Sequence, residues 1–399
     1  MFVPLTAPGD LVSLKDVQRR RGVYFAVYDE IIERSFERRD APCPWFGLCG
    51  GCQWMHLNYE AQLRWKEDVF RQALKRIARF NEQPAIRVHP SPAEFGYRYR
   101  ARLHIKGSEI GFHKRASRDI VPWEQCMLLP EMLNLVVKDL RQQLKDNGSP
   151  STLRSCEAAV SPVNGSVSLT WSFKKDRGNR DAAIGVMDGL DKIAAIGNVD
   201  LAGQSAFDNS GKFITGRGGT LPLETGNILM RASPGTFFQV NPWINAILAD
   251  RVLAHLRAAG TSTLLDLYCG NGNFSLPAAA AGIKTVGVET SQGAVRDARS
   301  VAEAGSRFVE KDVGSFLAED SHEAEAVIVD PPRTGLPADV AAILGAQRFP
   351  CLIYVSCEPS TLARDLARLV EGGYSLTDME IFDMFPQTSH FEALVVLKG

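Results

Sequence analysis

In open α/β sheets ligands bind beyond the carboxyl ends of the strands, so apolar runs that end in a glycine turn, an acid or a thiol are where chemistry is expected. The segment DLYCGNGNFSL (266–276) closes an apolar run with a glycine loop ahead of a helix, and the next run, VGVE, ends at Glu289, nineteen residues after Gly270. Such a loop lets a nucleotide-like cofactor approach the backbone, and a carboxylate on the second strand can hold both ribose hydroxyls. A dinucleotide is the competing ligand, but C-G-N-G-N-F lacks the third glycine of that fingerprint. Asp266, before the loop, offers negative charge suited to a cationic amino-acid moiety, which favours S-adenosylmethionine. A fourth run ends at Asp330-Pro331-Pro332-Arg333, with arginine where adenine N-methyltransferases carry an aromatic residue. YVSCEPS places Cys357 before a helix starting near Pro359, where the positive helix end favours the reactive thiolate. A cysteine after a buried strand is otherwise a core residue. FPQTSHFE brings His390 and Glu392 to the start of the last run, at the same edge.

A second constellation is made of thiols. Cys43, Cys49 and Cys52 form a C-x5-C-x2-C cluster beside Gly50-Gly51, and Cys126 follows after 73 intervening residues. Four thiolates hold either zinc or an iron-sulfur cluster. Zinc ribbons more often pair two C-x2-C knuckles, so the three-plus-one spacing favours 4Fe-4S over zinc or free thiols. Cys156, Cys269 and Cys351 read as core.

The elements that must position these groups follow from periodicity. The chain of 399 residues has 45% hydrophobic and 23% charged residues, consistent with two or three globular domains. No apolar run is long enough to span a membrane and the first residues lack a secretory pattern, so a soluble, cytoplasmic protein is expected. Residues 1–130 carry a net charge of +6 and the remainder −7, as expected of a nucleic-acid-binding part joined to a catalytic part, or of uneven solvated charge. Short strands are predicted before residue 40, and a helix over Tyr59–Arg79 bearing Arg64, Lys66, Arg71, Lys75, Arg76 and Arg79 towards RNA or solvent. Tyr97–Arg118 holds seven basic residues against Glu109 alone, interleaved with Tyr97, Tyr99, Phe112 and His113, a mixture that suits single-stranded RNA. A helix over 127–147 and a mainly antiparallel sheet over 150–235, with a hairpin at Asn164-Gly165, precede alternating strands and helices from 263. The last two strands, with little between them, suggest an antiparallel final strand.

Six ordered motifs, FFQVN (237–241), DLYCGNGNFSL, VGVE (286–289), DPPRTG (330–335), YVSCEPSTLARDL (354–366) and FPQTSHFE (385–392), resemble the RNA 5-methyluridine methyltransferase family. CPWFGLCGGCQ with Cys126 resembles its iron-sulfur subgroup, which methylates 23S ribosomal RNA, and the likeness covers about residues 35–399. The resemblance implies an α/β fold: a Rossmann-like class I S-adenosylmethionine methyltransferase domain, a mainly antiparallel α+β central domain and a partial N-terminal β-barrel. The implied division is a TRAM-like barrel fragment over 1–40, an iron-sulfur and RNA-binding domain over 41–56 and 87–235, and the methyltransferase domain over 57–86 and 236–399. It further implies that Gln239, Tyr268, Asn273, Glu289 and Asp330 line the cofactor or target-base pocket. Cys357 is implied as nucleophile, Glu392 as proton acceptor, and Cys43, Cys49, Cys52 and Cys126 as ligands of a 4Fe-4S cluster.

The expected activity is S-adenosylmethionine-dependent methylation of uridine C5 in RNA, 23S ribosomal RNA above all, with a transfer-RNA substrate as the alternative. C5 of uracil is too weak a nucleophile to attack a sulfonium methyl, which is why a thiolate must first add to C6. A non-catalytic RNA-binding protein would leave Cys357 and Glu392 beside a cofactor loop unexplained. A radical enzyme would need a C-x3-C-x2-C set with an open iron site. Neither a membrane nor an obligate protein partner is expected.

Overall fold

The computed structural model describes residues 1–176, 178–197, 199–319 and 323–399, with side chains throughout these except at 192–197. Strands β1 (Leu11–Arg20) and β2 (Val23–Glu33) turn back on each other through Arg21 and Gly22, both at positive φ. Beyond a bridge from Phe2 to Phe25, no other described strand joins this hairpin, and most of its residues are exposed. Helix α1 (Tyr59–Ala73) starts at Asn58, whose side chain accepts the Ala61 N–H, and runs into a π-helical turn over Leu74–Ala78. The expected basic face is divided: Lys66 is fully buried and paired with Asp383 at 2.5 Å, so it faces neither RNA nor solvent. Strand β3 (Ile86–His89) follows.

A six-stranded sheet is built from β4 (Arg100–Lys106), β5 (Glu109–Gly111), β6 (Leu153–Val160), β7 (Val167–Phe173), β8 (Leu201–Asp208) and β9 (Phe213–Gly218), in the order β5-β4-β6-β7-β8-β9. Helices α2 (Glu131–Asn147) and α3 (Asn179–Gly197) cover it, closing a core around Leu133, Leu140, Leu169, Trp171 and Met187. The hairpin at Asn164-Gly165 forms between β6 and β7. The sheet is not antiparallel throughout: β7 and β8 are parallel, joined by α3. That helix carries a readable pattern, because Ala183, Val186, Met187 and Leu190 recur at helical spacing and are all buried. Its two internal glycines, Gly185 and Gly189, each unfavourable in a helix, obscure the signal.

A small hairpin, β10 (Leu221–Thr225) and β11 (Ile228–Ala232), leads into α4 (Pro242–Ala258). The rest alternates: β12 (Thr263–Leu267), α5 (Ser275–Ala280), β13 (Lys284–Glu289), α6 (Gln292–Val301), β14 (Ser306–Glu310), α7 (Val313–Glu319), β15 (Ala326–Val329), α8 (Ala338–Gln347), β16 (Cys351–Ser356), α9 (Pro359–Glu371), β17 (Ser375–Phe382) and β18 (Glu392–Lys398). The eight-stranded sheet has the order β14-β13-β12-β15-β16-β18-β17-β3. Strands β12 to β16 are parallel, whereas β18 runs antiparallel between β16 and β17. Every residue of β15 and β16 is buried, as in parallel sheets covered on both faces. The π turn after α1 supplies Leu74 and Ala78 to one covering layer beside Leu362, Leu366 and Leu369 of α9. Ile244, Leu248 and Val252 of α4 pack on the other face. No described helix is long and apolar enough to cross a membrane.

Candidate active site

One cavity of about 850 Å3 opens along the carboxyl ends of β12, β13, β15 and β16. Gln239, Tyr268, Asn273, Glu289, Asp330, Cys357 and Glu392 all line it, so of the residues expected at the cofactor and the reacting base the structure brings together all but Asp266. Its volume lies near the top of the range of small-molecule pockets, which leaves room for a nucleoside cofactor and a second base.

The loop after β12 is shaped by backbone that few side chains tolerate. Tyr268, Gly270 and Gly272 have φ of 64°, 56° and 93°. An aromatic residue in this region costs about 1–3 kcal/mol, a strain that clusters at functional sites. A Cβ at Gly270 would meet nothing within 4 Å, so the loop presents bare backbone. The Gly270 N–H donates to Glu289 at 3.2 Å, and Glu289 also accepts from the Ser291 N–H at 2.8 Å. These contacts hold the carboxylate at the strand end, as a ribose-binding acid requires. The loop, Glu289 and Tyr268 therefore fit an adenosyl cofactor. Asp266 is placed differently from the expectation: it lies outside the cavity lining, wholly buried, and accepts a 2.5 Å hydrogen bond from Ser275. Burial pushes its carboxyl up to about 7, so it offers no full negative charge to a ligand. Asn273 lines the cavity, but its amide is paired reciprocally with that of Asn245 at 2.8 and 2.9 Å and also accepts from Thr225. Gln239 forms no hydrogen bond with a described residue and keeps its amide free.

Cys357 and Glu392 are neighbours by register. Ser356 of β16 pairs with Ala393 of β18, so the next residue on one strand and the preceding residue on the other stand side by side. The Glu392 side chain is buried and makes no hydrogen bond with any described residue. Burial and the nearby Asp330 hold its carboxyl well above the usual range, against the pull of Arg333. Burial and its neighbour Asp266 push Asp330 itself up to about 7. Cys357 does not rest as the thiolate expected at the α9 N-terminus. Burial and then the Glu392 charge push its thiol up to about 12, with Asp330 adding to the shift and Arg333 opposing it. Desolvation beside two carboxyls outweighs a helix-end effect that amounts to about 0.3–1 kcal/mol.

The FFQVN segment is tied down on both sides. Asp297 of α6 accepts from Ser233 and Thr236, and Val240 accepts from the Tyr99 N–H at the start of β4. Within the basic stretch, Tyr97 is fully buried and donates to the Pro386 carbonyl, so it cannot stack on a base. Arg100 forms a two-point pair with Glu157 and lies 4.7 Å from the ring centre of the exposed Phe237. Phe112 stacks on Trp123 and His113 on His104, which leaves Arg102, Lys106, Arg115 and Arg118 as the exposed cations of this stretch.

Cys43, Cys49, Cys52 and Cys126 line a separate cavity of about 30 Å3, walled by Trp45, Phe46, Met55, Phe112 and Trp123. Gly50 donates to the His113 carbonyl at 3.0 Å, and a Cβ there would come within 3.2 Å of that oxygen. The Cys126 N–H donates to the Asn134 side chain at 2.8 Å, and its carbonyl accepts from the Leu129 N–H at 3.1 Å. Among the described residues no group of three or more His, Cys, Asp or Glu converges as around a single ion. Four thiols spread around an apolar space suit a cluster better than zinc, which sits about 2.3 Å from each sulfur.

The family described as tRNA (Uracil-5-)-methyltransferase matches residues 58–310 and 311–399. The chain belongs to that family. An RNA methyltransferase of Aquifex aeolicus is 32% identical over 406 residues, covering 100% of this chain and 93% of the relative. The 23S rRNA (uracil(1939)-C(5))-methyltransferase RlmD of Pseudomonas entomophila is 33% identical over 427 residues, covering 100% and 88%. The fold is that of the Pyrococcus abyssi tRNA (uracil-54, C5)-methyltransferase, solved with S-adenosyl-L-homocysteine, with a TM-score of 0.74, 24% identity and coverage of 99% and 95%. The protein is thus an RNA uracil-C5 methyltransferase using S-adenosylmethionine.

Three features of this methyltransferase's site had no local signal. Asn245, Thr225 and the β10–β11 hairpin reach the glycine loop from 28 to 48 residues away in sequence. Arg333 was legible as a departure from the D-P-P-aromatic pattern, but its place beside Cys357 was not.

The environment of Cys357 predicts its reactivity. In the free protein its alkylation by iodoacetamide, read by peptide mass spectrometry, should climb about tenfold per pH unit between pH 7 and 10 without levelling. At pH 9, Glu392→Gln removes a like charge and should speed alkylation, whereas Arg333→Gln should slow it. A plateau already at pH 7, or indifference to both substitutions, contradicts this electrostatic assignment.

Proposed function

We propose that this methyltransferase modifies C5 of a uridine in 23S ribosomal RNA through a covalent bond between Cys357 and uracil C6. The observation that carries the mechanism is the register of β16 and β18, which sets a thiol and an unpartnered buried carboxyl side by side at the mouth of the glycine-loop cavity. The Cys357 thiol gives its proton to solvent as its sulfur adds to C6, and the C5=C6 electron pair moves towards C5 and O4, making C5 nucleophilic. S-Adenosylmethionine supplies the methyl: the C5–CH3 bond forms as the sulfonium S–CH3 bond breaks. Glu392 then takes the proton from C5, the C5=C6 bond re-forms, the C6–sulfur bond breaks and the thiolate is regenerated. A carboxyl held well above its usual range is a stronger base than a solvated one, and a positioned base is worth roughly 10² to 10⁴ in rate. Tyr268, Glu289 and the bare backbone at Gly270 are proposed to hold the cofactor, with Gln239 and Asp330 facing the base.

The choice of RNA rests on coverage. The family match begins at residue 58, past Cys43, Cys49 and Cys52, whereas relatives named as 23S ribosomal RNA enzymes span the whole chain. Cys43, Cys49, Cys52 and Cys126 are proposed to hold a 4Fe-4S cluster, whose contribution is structural because no step above transfers an electron. The proposed domains follow sheet membership, with α1 and β3 assigned to the catalytic unit and the cysteine segment to the domain of the six-stranded sheet, where Cys49 forms a bridge with Lys114 just after β5.

Incubated with S-adenosylmethionine and 23S ribosomal RNA, Glu392→Gln should accumulate a protein-RNA band on a denaturing gel, and Cys357→Ala should give neither band nor methylated RNA. A Cys357→Ala protein that still forms the band, or a Glu392→Gln protein that turns over normally, removes the assigned roles. Methylation of transfer RNA in preference to 23S ribosomal RNA overturns the substrate assignment. Protein purified without oxygen should be brown with about four irons per chain, lost on Cys49→Ser. One equivalent of zinc in colourless protein contradicts the cluster.

A further inference from the structure

The segment between β17 and β18 delivers Glu392, and one of its residues is bonded at every polar atom. Gln387 is fully buried and left-handed, with φ of 70°. Its N–H donates to the side-chain oxygen of Gln62 at 2.9 Å, and the Gln62 amide donates back to the Gln387 side-chain oxygen at 3.0 Å. Arg39 donates to that same oxygen at 2.9 Å, and the Gln387 amide donates to Glu94 at 3.0 Å. The Gln387 carbonyl accepts from the N–H groups of Gln53 and Trp54 at 3.1 and 3.0 Å, immediately after Cys52.

Four parts of the chain therefore converge on one residue: the cysteine loop, α1, Arg39 and Glu94. Neighbouring contacts act in the same sense. Lys66 of α1 bonds Asp383 and the Phe385 carbonyl, Tyr59 bonds Asp383, and Tyr97 bonds the Pro386 carbonyl. Phe385 lines the reaction cavity along with Glu392, while the carboxyl of Glu392 makes no hydrogen bond of its own. With nothing bonded to its head, the position of that carboxyl is set by the backbone that carries it. That backbone is held on its far side by the pairing of β18 with β16 and β17, and on the side that leads into it by Gln387.

We propose that Gln387 is a positioning residue that locks the segment before Glu392 against the cysteine loop and α1, and so sets where the proton acceptor stands. This inference rests on the reading of Glu392 as the group that removes the C5 proton. A left-handed residue with both backbone groups and both amide atoms bonded has one conformation available, which is what a base aimed at a single C–H bond requires. The role reaches the reaction through Glu392 alone, since Cys357 is carried by β16 and α9.

The test separates positioning from general stability by the step that fails. Gln387→Gly keeps the left-handed backbone and its carbonyl but removes the side chain. Gln62→Met removes the reciprocal amide pair without touching Gln387, and carries the test should the glycine variant not fold. Each is incubated with S-adenosylmethionine and 23S ribosomal RNA, and covalent protein-RNA complex, methyl incorporation, kcat and KM are measured. Both variants should accumulate methylated adduct and lose about 10²-fold in kcat with KM for RNA near wild type, because addition and methyl transfer proceed while proton removal stalls. Gln387→Asn, which tolerates positive φ and keeps an amide, should recover part of the loss. If Glu392→Gln accumulates adduct and these two variants do not, the positioning role is wrong while the proton acceptor stands. If Glu392→Gln gives no adduct either, the reading of Glu392 falls and the inference with it.

Discussion

Strand β18 runs antiparallel between β16 and β17, with Ser356 opposite Ala393, and the proposed chemistry depends on that register. A shift of one residue along either strand would turn Cys357 or Glu392 to the other face of the sheet. In register, a thiol and a carboxyl share a desolvated corner together with Asp330, and among the described residues Arg333 is the cation that favours their ionisation. The outcome is a resting state in which these acids keep their protons more tightly than solvated groups would. Once ionised, a carboxyl so placed is a stronger proton acceptor than a solvated one, which is what the proposed removal of the C5 proton needs.

The corner is braced from the far end of the chain. Lys66 and Asp383 form an ion pair with both side chains 1% exposed, a pair whose disruption leaves a buried charge at a cost of about 3–5 kcal/mol. Gln62 and Tyr59, on the same helix, grip the segment that leads to Glu392. The cysteine loop reaches the same segment through Gln53 and Trp54. The N-terminal third is thereby joined mechanically to the C-terminal motif, which is consistent with a structural role for the four thiols under the proposed mechanism.

Much of this site was legible in the sequence because parallel strands covered on both faces read as apolar runs, and the chemistry sits where those runs stop. Glu289, Asp330 and Cys357 were found at strand ends for that reason. Features set by distant partners were not legible. Lys66 and Tyr97 read as surface or RNA-facing residues, and burial against Asp383 and Pro386 overrides that reading. The protonation of Cys357 depends on Glu392, 35 positions away and one strand over, and so escaped a local argument from the helix end. The parallel pairing of β7 with β8 was hidden by glycines in α3. Gln387 carries no local mark of its left-handed backbone, since glutamine is not a residue that announces positive φ.

The central claim is that methylation occurs at C5 and displaces its proton. RNA labelled with tritium at uracil C5 tests it most directly, by counting tritium released to water against methyl groups gained. The account predicts release that requires S-adenosylmethionine and equals methyl incorporation mole for mole. Methyl groups gained while the tritium stays on the RNA would contradict it, because transfer would then have taken place at a nitrogen or a ribose hydroxyl.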